Sequence, residues 1–186
     1  MSDVYMRMDN RSFDWMLRAL DDVHEQAAAT AMNRGLKKSR TWAKRDIAQQ
    51  ANISPQKIIS NRLRVKRASK SRLNGALRIL TGPIPAIKLG ARDTRRKTKS
   101  GKRTGSGVRA RGGRSWRNAF IETGLGGHEM VLVREGRPRR PLDAIKIPIE
   151  SIANRVIKEK VLEARDWIVE EIPRLIMVRA QRRASR

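Results

Sequence analysis

The chain contains no cysteine, which excludes disulfides and thiolate metal sites and leaves the redox compartment unspecified. Aromatic residues make up only 4% of it and hydrophobic residues 39%, below the ~45–50% usual in globular domains. The core must therefore be aliphatic, and part of the chain must lie outside it. No apolar run approaches the roughly 18–20 residues of a membrane span, and no signal-peptide pattern opens the chain, so synthesis in the cytoplasm is the expectation. Histidine is confined to His24 and His128. Acidic residues are nearly missing from the middle: residues 32–120 hold two, against 26 basic ones, a net charge of +24.

What is present is positive charge, unevenly placed. Residues 1–31 carry three basic and six acidic residues, a net −3, and residues 121–186 carry 14 and ten, a net +4. Nearly all of the formal total of +25 thus sits in residues 32–120, which points to a polyanion or an acidic protein as partner there. A merely solvated basic surface is the bland alternative, but self-repulsion on this scale disfavours compaction unless something offsets it. Arginine outnumbers lysine, 30 to 13, and a guanidinium suits bidentate contact with phosphate or carboxylate.

The 186 residues suit one domain with appendages. Phe13, Leu17, Leu20, His24, Ala27 and Ala31 repeat at alternating steps of four and three, one face of a helix. Ser12 is its candidate N-cap. The face narrows to alanine, so whatever packs there comes close. Its heptad-like spacing makes Phe13, Leu17 and Leu20 a candidate oligomer interface; packing on the chain's own sheet is the alternative. Leu36, Ala43 and Ile47 extend the pattern past Gly35, and Trp42, with no second aromatic near it, reads as packing rather than base stacking. Ser54-Pro55 reads as a helix start for a short helix through Ile59.

Strand signals follow. Leu63 and Val65 alternate with Arg62, Arg64 and Lys66, and Leu77 and Ile79 with Arg78 and Leu80, with the turn signal Asn74-Gly75 before the second run. Ala86 to Leu89 is a short apolar stretch ending at Gly90. Residues 92–114 hold ten Lys or Arg, five Gly and one Asp, too little apolar surface to offset chain entropy, so a flexible basic loop is expected. Ala119-Phe120-Ile121 and Met130 to Val133 flank a glycine turn, a second hairpin. Ile145, Ile147 and Ile149 form an edge strand beside Pro148. Ile157, Val161, Ala164, Ile168, Ile172 and Leu175 line a long final helix, which Pro173 should kink or divide. The expected class is α+β: N-terminal helices over residues 1–60, a small antiparallel sheet of about four to five strands over 61–149 carrying the basic insertion, and a C-terminal helix over 150–186, together one globular domain.

Chemistry is hard to find in this pattern. His24 falls on an apolar helix face, and His128-Glu129 lacks a second ligand at metal spacing. Gly124-Leu125-Gly126-Gly127 lacks the Gly-Lys-Ser/Thr ending of a phosphate loop. No nucleophile elbow appears, and the middle has too few acids for two-metal nuclease chemistry. No catalytic residue, cofactor or metal is expected. The candidate contact residues are basic: Arg95, Arg96, Lys97, Lys99, Lys102, Arg103, Arg109 and Arg111. Without interleaved aromatics they could follow a phosphate backbone but not stack bases; acidic protein neighbours are the alternative partner.

Four segments resemble one known family. Ile84-Pro85-Ala86-Ile87-Lys88-Leu89-Gly90-Ala91-Arg92 is similar to a segment of the minor tail protein Z family of long-tailed bacteriophages. There a basic, glycine-containing stretch follows, as here, and then a segment like Asn118-Ala119-Phe120-Ile121. Arg140-Pro141-Leu142-Asp143-Ala144-Ile145-Lys146-Ile147-Pro148 is a third match, and Leu63-Arg64-Val65-Lys66-Arg67-Ala68 a fourth. The order spans about residues 62–149. The resemblance implies a structural virion component that completes the tail at the head–tail connection, near the passage of DNA. It implies tail and connector proteins as partners, with viral DNA beside them, and a homo-oligomeric ring of about six copies. It implies no catalytic residue, small-molecule substrate or membrane. A non-virion nucleic-acid-binding protein and a DNA-processing enzyme are the competing classes.

Overall fold

A computed structural model describes residues 3–8, 22–94, 96–97, 103–104, 107–124, 126–134 and 142–185. Two long helices, α1 (Asp22–Gln50) and α3 (Glu150–Ala184), run antiparallel along each other. The cross-links fall in reversed order: Arg179 Nη2 donates to Thr30 Oγ1 (2.9 Å), Arg34 to Glu171 (2.8 Å), Ser39 Oγ to the Lys160 carbonyl (3.0 Å), and Arg155 to Gln50 (2.8 Å). The close approach follows from small residues at four-residue spacing, Ala27, Ala31, Gly35 and Ser39, on one face of α1. A methyl group added at Gly35 would lie 2.5 Å from Ile168. The expected apolar face of the last helix, Ile157 to Leu175, is buried at every position. At its flank the Lys38 ammonium sits 3.9 Å from the Trp167 ring centre, a cation–π contact.

A three-stranded antiparallel sheet packs on the helix pair, with β3 (Gly75–Leu80) between β1 (Asp3–Met8) and β2 (Leu63–Lys66). Leu63 stands opposite Ile79 and Val65 opposite Leu77. These residues turn to the helices while Arg64 and Lys66 stay exposed. Asn33 of α1 ties the sheet down, its amide both donating to and accepting from the backbone of Ala68 at 2.9 Å. Arg62 donates to the carbonyls of Leu80 (3.1 Å), Gly82 and Pro83 (3.3 Å), fixing the turn after β3. Burial lowers its pKa from the ordinary arginine value. Lys160 lies among Asp46, Glu159 and Glu163; its hydrogen bond to Glu163 raises its pKa most, against the desolvation of burial.

Past Pro83 the chain builds a second, smaller apolar cluster. Its buried members are Ala86, Ala91, Val108, Ala119 and Val131. The framework is β4 (Ile84–Pro85), a 3-10 turn (Ala86–Leu89), β5 (Arg92–Asp93), β6 (Arg96–Lys97), β7 (Arg103–Thr104), β8 (Val108–Arg109), β9 (Ser115–Trp116), β10 (Ala119–Thr123), β11 (Glu129–Arg134), β12 (Leu142–Ala144) and β13 (Lys146–Ile147). The pairings are β10-β11-β12, β13-β4, β5-β8-β9 and β6-β7. Three of the family-like segments meet here. Ala86 N–H donates to Ile145 O (2.9 Å), and Ile145 N–H to Val131 O (2.8 Å).

The class is α+β, as the sequence implied, but several elements differ. The described residues hold thirteen strands in five small sheets, not one sheet of four or five. Strand β1 has no clear signal in the sequence, yet it supplies the outer edge of the first sheet. Ser54 does not cap a helix: α2 (Lys57–Ser60) starts three residues later, behind Gln56, without a side-chain cap. Helix α3 runs through Pro173 undivided; the proline is exposed, so its ring displaces no core contact, and only one main-chain donor is lost. The proposed cap Ser12 and the interface residues Phe13, Leu17 and Leu20 lie outside the described residues. No helix of the described residues is long and apolar enough to cross a membrane.

Candidate functional site: a basic hairpin on an aliphatic base

The basic insertion is not a structureless loop where it is described. Its two ends pair as an antiparallel ladder, Arg92 opposite Arg109 and Asp93 opposite Val108, and further out Arg96 faces Thr104 and Lys97 faces Arg103. Composition correctly shows that the segment has no core of its own. It misses that Val108, fully buried beside Ala86, Ala91, Ala119 and Val131, with half-buried Ala110 packed against the same cluster, anchors one strand to a neighbouring core. Thr94 closes the base, its N–H and Oγ1 both donating to Gly107 O at 2.8 and 2.6 Å. Gly107 has φ +100 and its Cα faces the Trp116 carbonyl oxygen too closely for any side chain.

The descending strand is fixed to the rest of the chain through its turn. Arg111 N–H donates to Leu89 O (3.2 Å) and Ala110 N–H to Arg114 O (2.9 Å). Asn52, just beyond α1, donates to Gly112 O (2.5 Å), and Arg114 donates to Ala51 O (2.7 Å). Gly112 has φ +80, and a Cβ there would meet Asn52 O at 2.6 Å. Arg114 is therefore a strut between hairpin and helix.

Arg92, Arg109 and Arg111 remain exposed around a concavity of about 460 Å³ that Gly90, Thr94 and Ala110 also line. Gly90, at φ +68, closes the 3-10 turn, and the Arg111 side chain passes over it. Among the described residues none of these three arginines has an ion pair. Like charges at facing ladder positions are unfavourable, so an anion placed between Arg92 and Arg109 would relieve the strand pair while binding it.

Of the contact residues expected from sequence, the structure brings Arg109 and Arg111 together. It places Arg96 and Lys97 on β6 and Arg103 on β7; Arg95, Lys99 and Lys102 lie outside the described residues. Arg92 is the residue the sequence reading left out of the site. Its signal was available, because it ends the Ile84–Arg92 segment and opens the insertion, but only the strand register shows that it faces Arg109. His24 is half-buried near the start of α1, with Nδ1 shielded and without a hydrogen bond among the described residues, and His128 is exposed in the glycine turn. No three His, Asp or Glu residues among those described are grouped to hold a metal.

A helical pair, a thin sheet and a basic hairpin, whose base arginines Arg92, Arg109 and Arg111 have no ion pair among the described residues, define an α+β protein. The chain belongs to the prophage minor tail protein Z (GPZ) family, whose model matches residues 16–183. It is also 28% identical over 136 residues, 73% of each chain, to the tail completion protein of Escherichia phage N15. No solved structure matches it. The family is one of structural phage tail proteins, and its match extends the four motif segments to nearly the whole chain.

Proposed function

We propose that this protein completes the phage tail at its head-proximal end, as a non-enzymatic ring subunit whose basic hairpin contacts DNA phosphates at the head–tail connection. The observation that carries the reading is the exposed arginine cluster at the hairpin base, without an ion pair among the described residues, inside a segment of net charge +24, in a minor tail protein. Guanidinium groups without interleaved aromatics favour phosphate contact without base readout. The protein works beside other tail and connector proteins, is made in the host cytoplasm, and needs no cofactor.

The test uses a phage deleted for this gene and complemented with variants. Replacing Arg92, Arg109 and Arg111 with Ser should leave tails that assemble but yield few infectious particles. Wild-type infectivity from that variant would sink the role of the hairpin base. If DNA affinity is unchanged while assembly fails, an acidic connector or tail protein is the partner. Copurification with assembled tails separates this reading from a free nucleic-acid-binding protein. Incubation with duplex and single-stranded DNA, with magnesium or manganese, should leave the DNA intact; cleavage that tracks the protein through purification would restore the enzyme class.

A further inference from the structure

Two surfaces outside the hairpin are uncovered and complementary. The first is a groove of about 820 Å³ beside α2, between the end of β3 and the β4–β13 pair. Its walls are apolar, Ile58, Pro83, Pro85 and Leu80, the last 40% exposed. Its rim is cationic: Lys57, Lys88 and Lys146 are exposed, none has an ion pair among the described residues, and no acidic residue lines the groove.

The second surface is the outer face of α3. Leu162 (57% exposed), Val169 (39%) and Met177 (65%) are large apolar side chains left in solvent, and exposed Pro173 continues the row. Their spacing of seven, four and four places them on one side of the helix, over about 22 Å of its length. Asp166 and Glu170 are interleaved on the same side, exposed and without ion pairs among the described residues. Residues 158–174 carry five acidic and four basic side chains, a net −1 in a chain of +25. Of those four cations, Lys160 is occupied by its own carboxylates.

We propose that copies of this chain join head to tail, the outer face of α3 in one copy seated in the lysine-rimmed groove of the next. This rests on the reading of the protein as a ring-forming tail component and names the surfaces that build the ring. Groove against groove, or stripe against stripe, would bring like charges together, so a two-fold contact is disfavoured. Groove against stripe pairs apolar with apolar and Lys57, Lys88 and Lys146 with Asp166 and Glu170. The exposure of the stripe shows that it does not fill its own groove. Each copy therefore leaves one of each surface open, and a contact between unlike surfaces propagates until rotation closes it into a ring.

The experiment measures the oligomeric state of the full chain by sedimentation velocity and native mass spectrometry near ~0.15 M salt, where distant charges are screened but contacting ones are not. Lys88→Glu with Lys146→Glu should weaken association at least about tenfold, as should Asp166→Lys with Glu170→Lys. Mixing the two doubly substituted chains should restore mixed assemblies. Leu162→Ser with Val169→Ser, which leaves all charges in place, should also weaken association. Circular dichroism and melting confirm that these exposed changes leave the fold intact. Unchanged assembly in the swapped chains, a failure of mixing to restore it, or a parent that stays monomeric at ~100 µM overturns the inference. So does assembly lost only on Leu17→Asp with Leu20→Asp. If the swapped chains fail to associate yet still complete infectious tails, the interface is physically real and the ring reading of the function fails. If rings form by this contact but never enter tails, the tail function fails alone.

Discussion

Single residues fix the hairpin base. Gly107 combines φ +100 with close approach to the Trp116 carbonyl. Gly107→Ala adds left-handed strain of roughly 1–3 kcal/mol and a collision with backbone that no side-chain rotation relieves. We expect at least about 2 kcal/mol of destabilisation in urea unfolding, and faster amide exchange at Thr94 and Ala110 than in α1. Exchange slowed equally everywhere, or unchanged, would contradict this. Lys160 gives a pH test. Its side chain is 11% exposed among three carboxylates, and its folded pKa lies above the ordinary 10.5. A raised basic pKa contributes stability that is complete below the unfolded value and is lost as pH rises through the folded one. Lys160→Met should therefore cost about 1 kcal/mol at pH 7, and the gap to the parent should shrink only above pH 10.5. A gap that stays constant as pH rises past 10.5 would assign it to packing instead. The sequence shows these residues only as a glycine among glycines and a lysine among lysines. Gly107 depends on Trp116, nine positions away, and Lys160 is enclosed by its local Glu159 and Glu163 together with Asp46, 114 positions away, a distant pairing that local patterning does not encode.

Elements differ in how far local pattern determines them. The face of α3 was readable because six core positions from Ile157 to Leu175 keep one period and all are buried. The pairing of β2 with β3, and of β10 with β11, was readable because apolar alternation and turn signals agree. The small strands of the insertion were not, since a two-residue strand such as β5 or β9 has no period and exists only by its partner. The same holds for the insertion as a whole: low apolar content told of no independent core, and buried Val108 with half-buried Ala110 decides that its base is paired. The hairpin predicts its own electrostatic signature. Arg95, Arg96, Lys97, Lys99, Lys102 and Arg103 replaced together by Ser should leave the melting temperature of the protein nearly unchanged at about 0.3 M salt, where repulsion is screened, because surface insertions add little to stability. If they touch phosphates, the log–log salt slope of DNA binding should flatten by roughly 0.9 per lost contact. Replacing Arg109 and Arg111 as well removes up to two further contacts and should flatten it by about 1.8 more. A slope identical to the parent's removes DNA as the partner of these side chains.

The whole molecule is set by its charge. A chain of +25 with 43 basic and 18 acidic residues folds against its own repulsion, and the ion pairs described between α1 and α3 relieve this only on the helical side. Among the described residues Arg92, Arg109 and Arg111 at the hairpin base have no ion pair. Simple salt should therefore stabilise the protein: from about 20 mM to 0.3 M the screening length shortens severalfold, and the melting temperature should rise by several degrees, at about 2–4 °C per kcal/mol for a chain of this size. A polyanion that binds only the folded form should do more. Saturation at about 100 times the dissociation constant adds roughly 2.7 kcal/mol, which corresponds to about 5–10 °C. Short duplex DNA and polyglutamate of equal charge, compared at fixed ionic strength, then tell phosphate from carboxylate. A larger shift with DNA supports the phosphate reading, and a larger one with polyglutamate supports an acidic tail or connector protein. The chain with Ser at Arg92, Arg109 and Arg111 should melt higher than the parent at low salt, because three repelling charges are gone, and it should lose part of the polyanion shift. Repulsion relieved and ligand lost are opposite signs from one substitution, so a destabilised arginine core cannot imitate them. If that chain melts lower than the parent at low salt, the three arginines hold the fold together and do not wait for an anion.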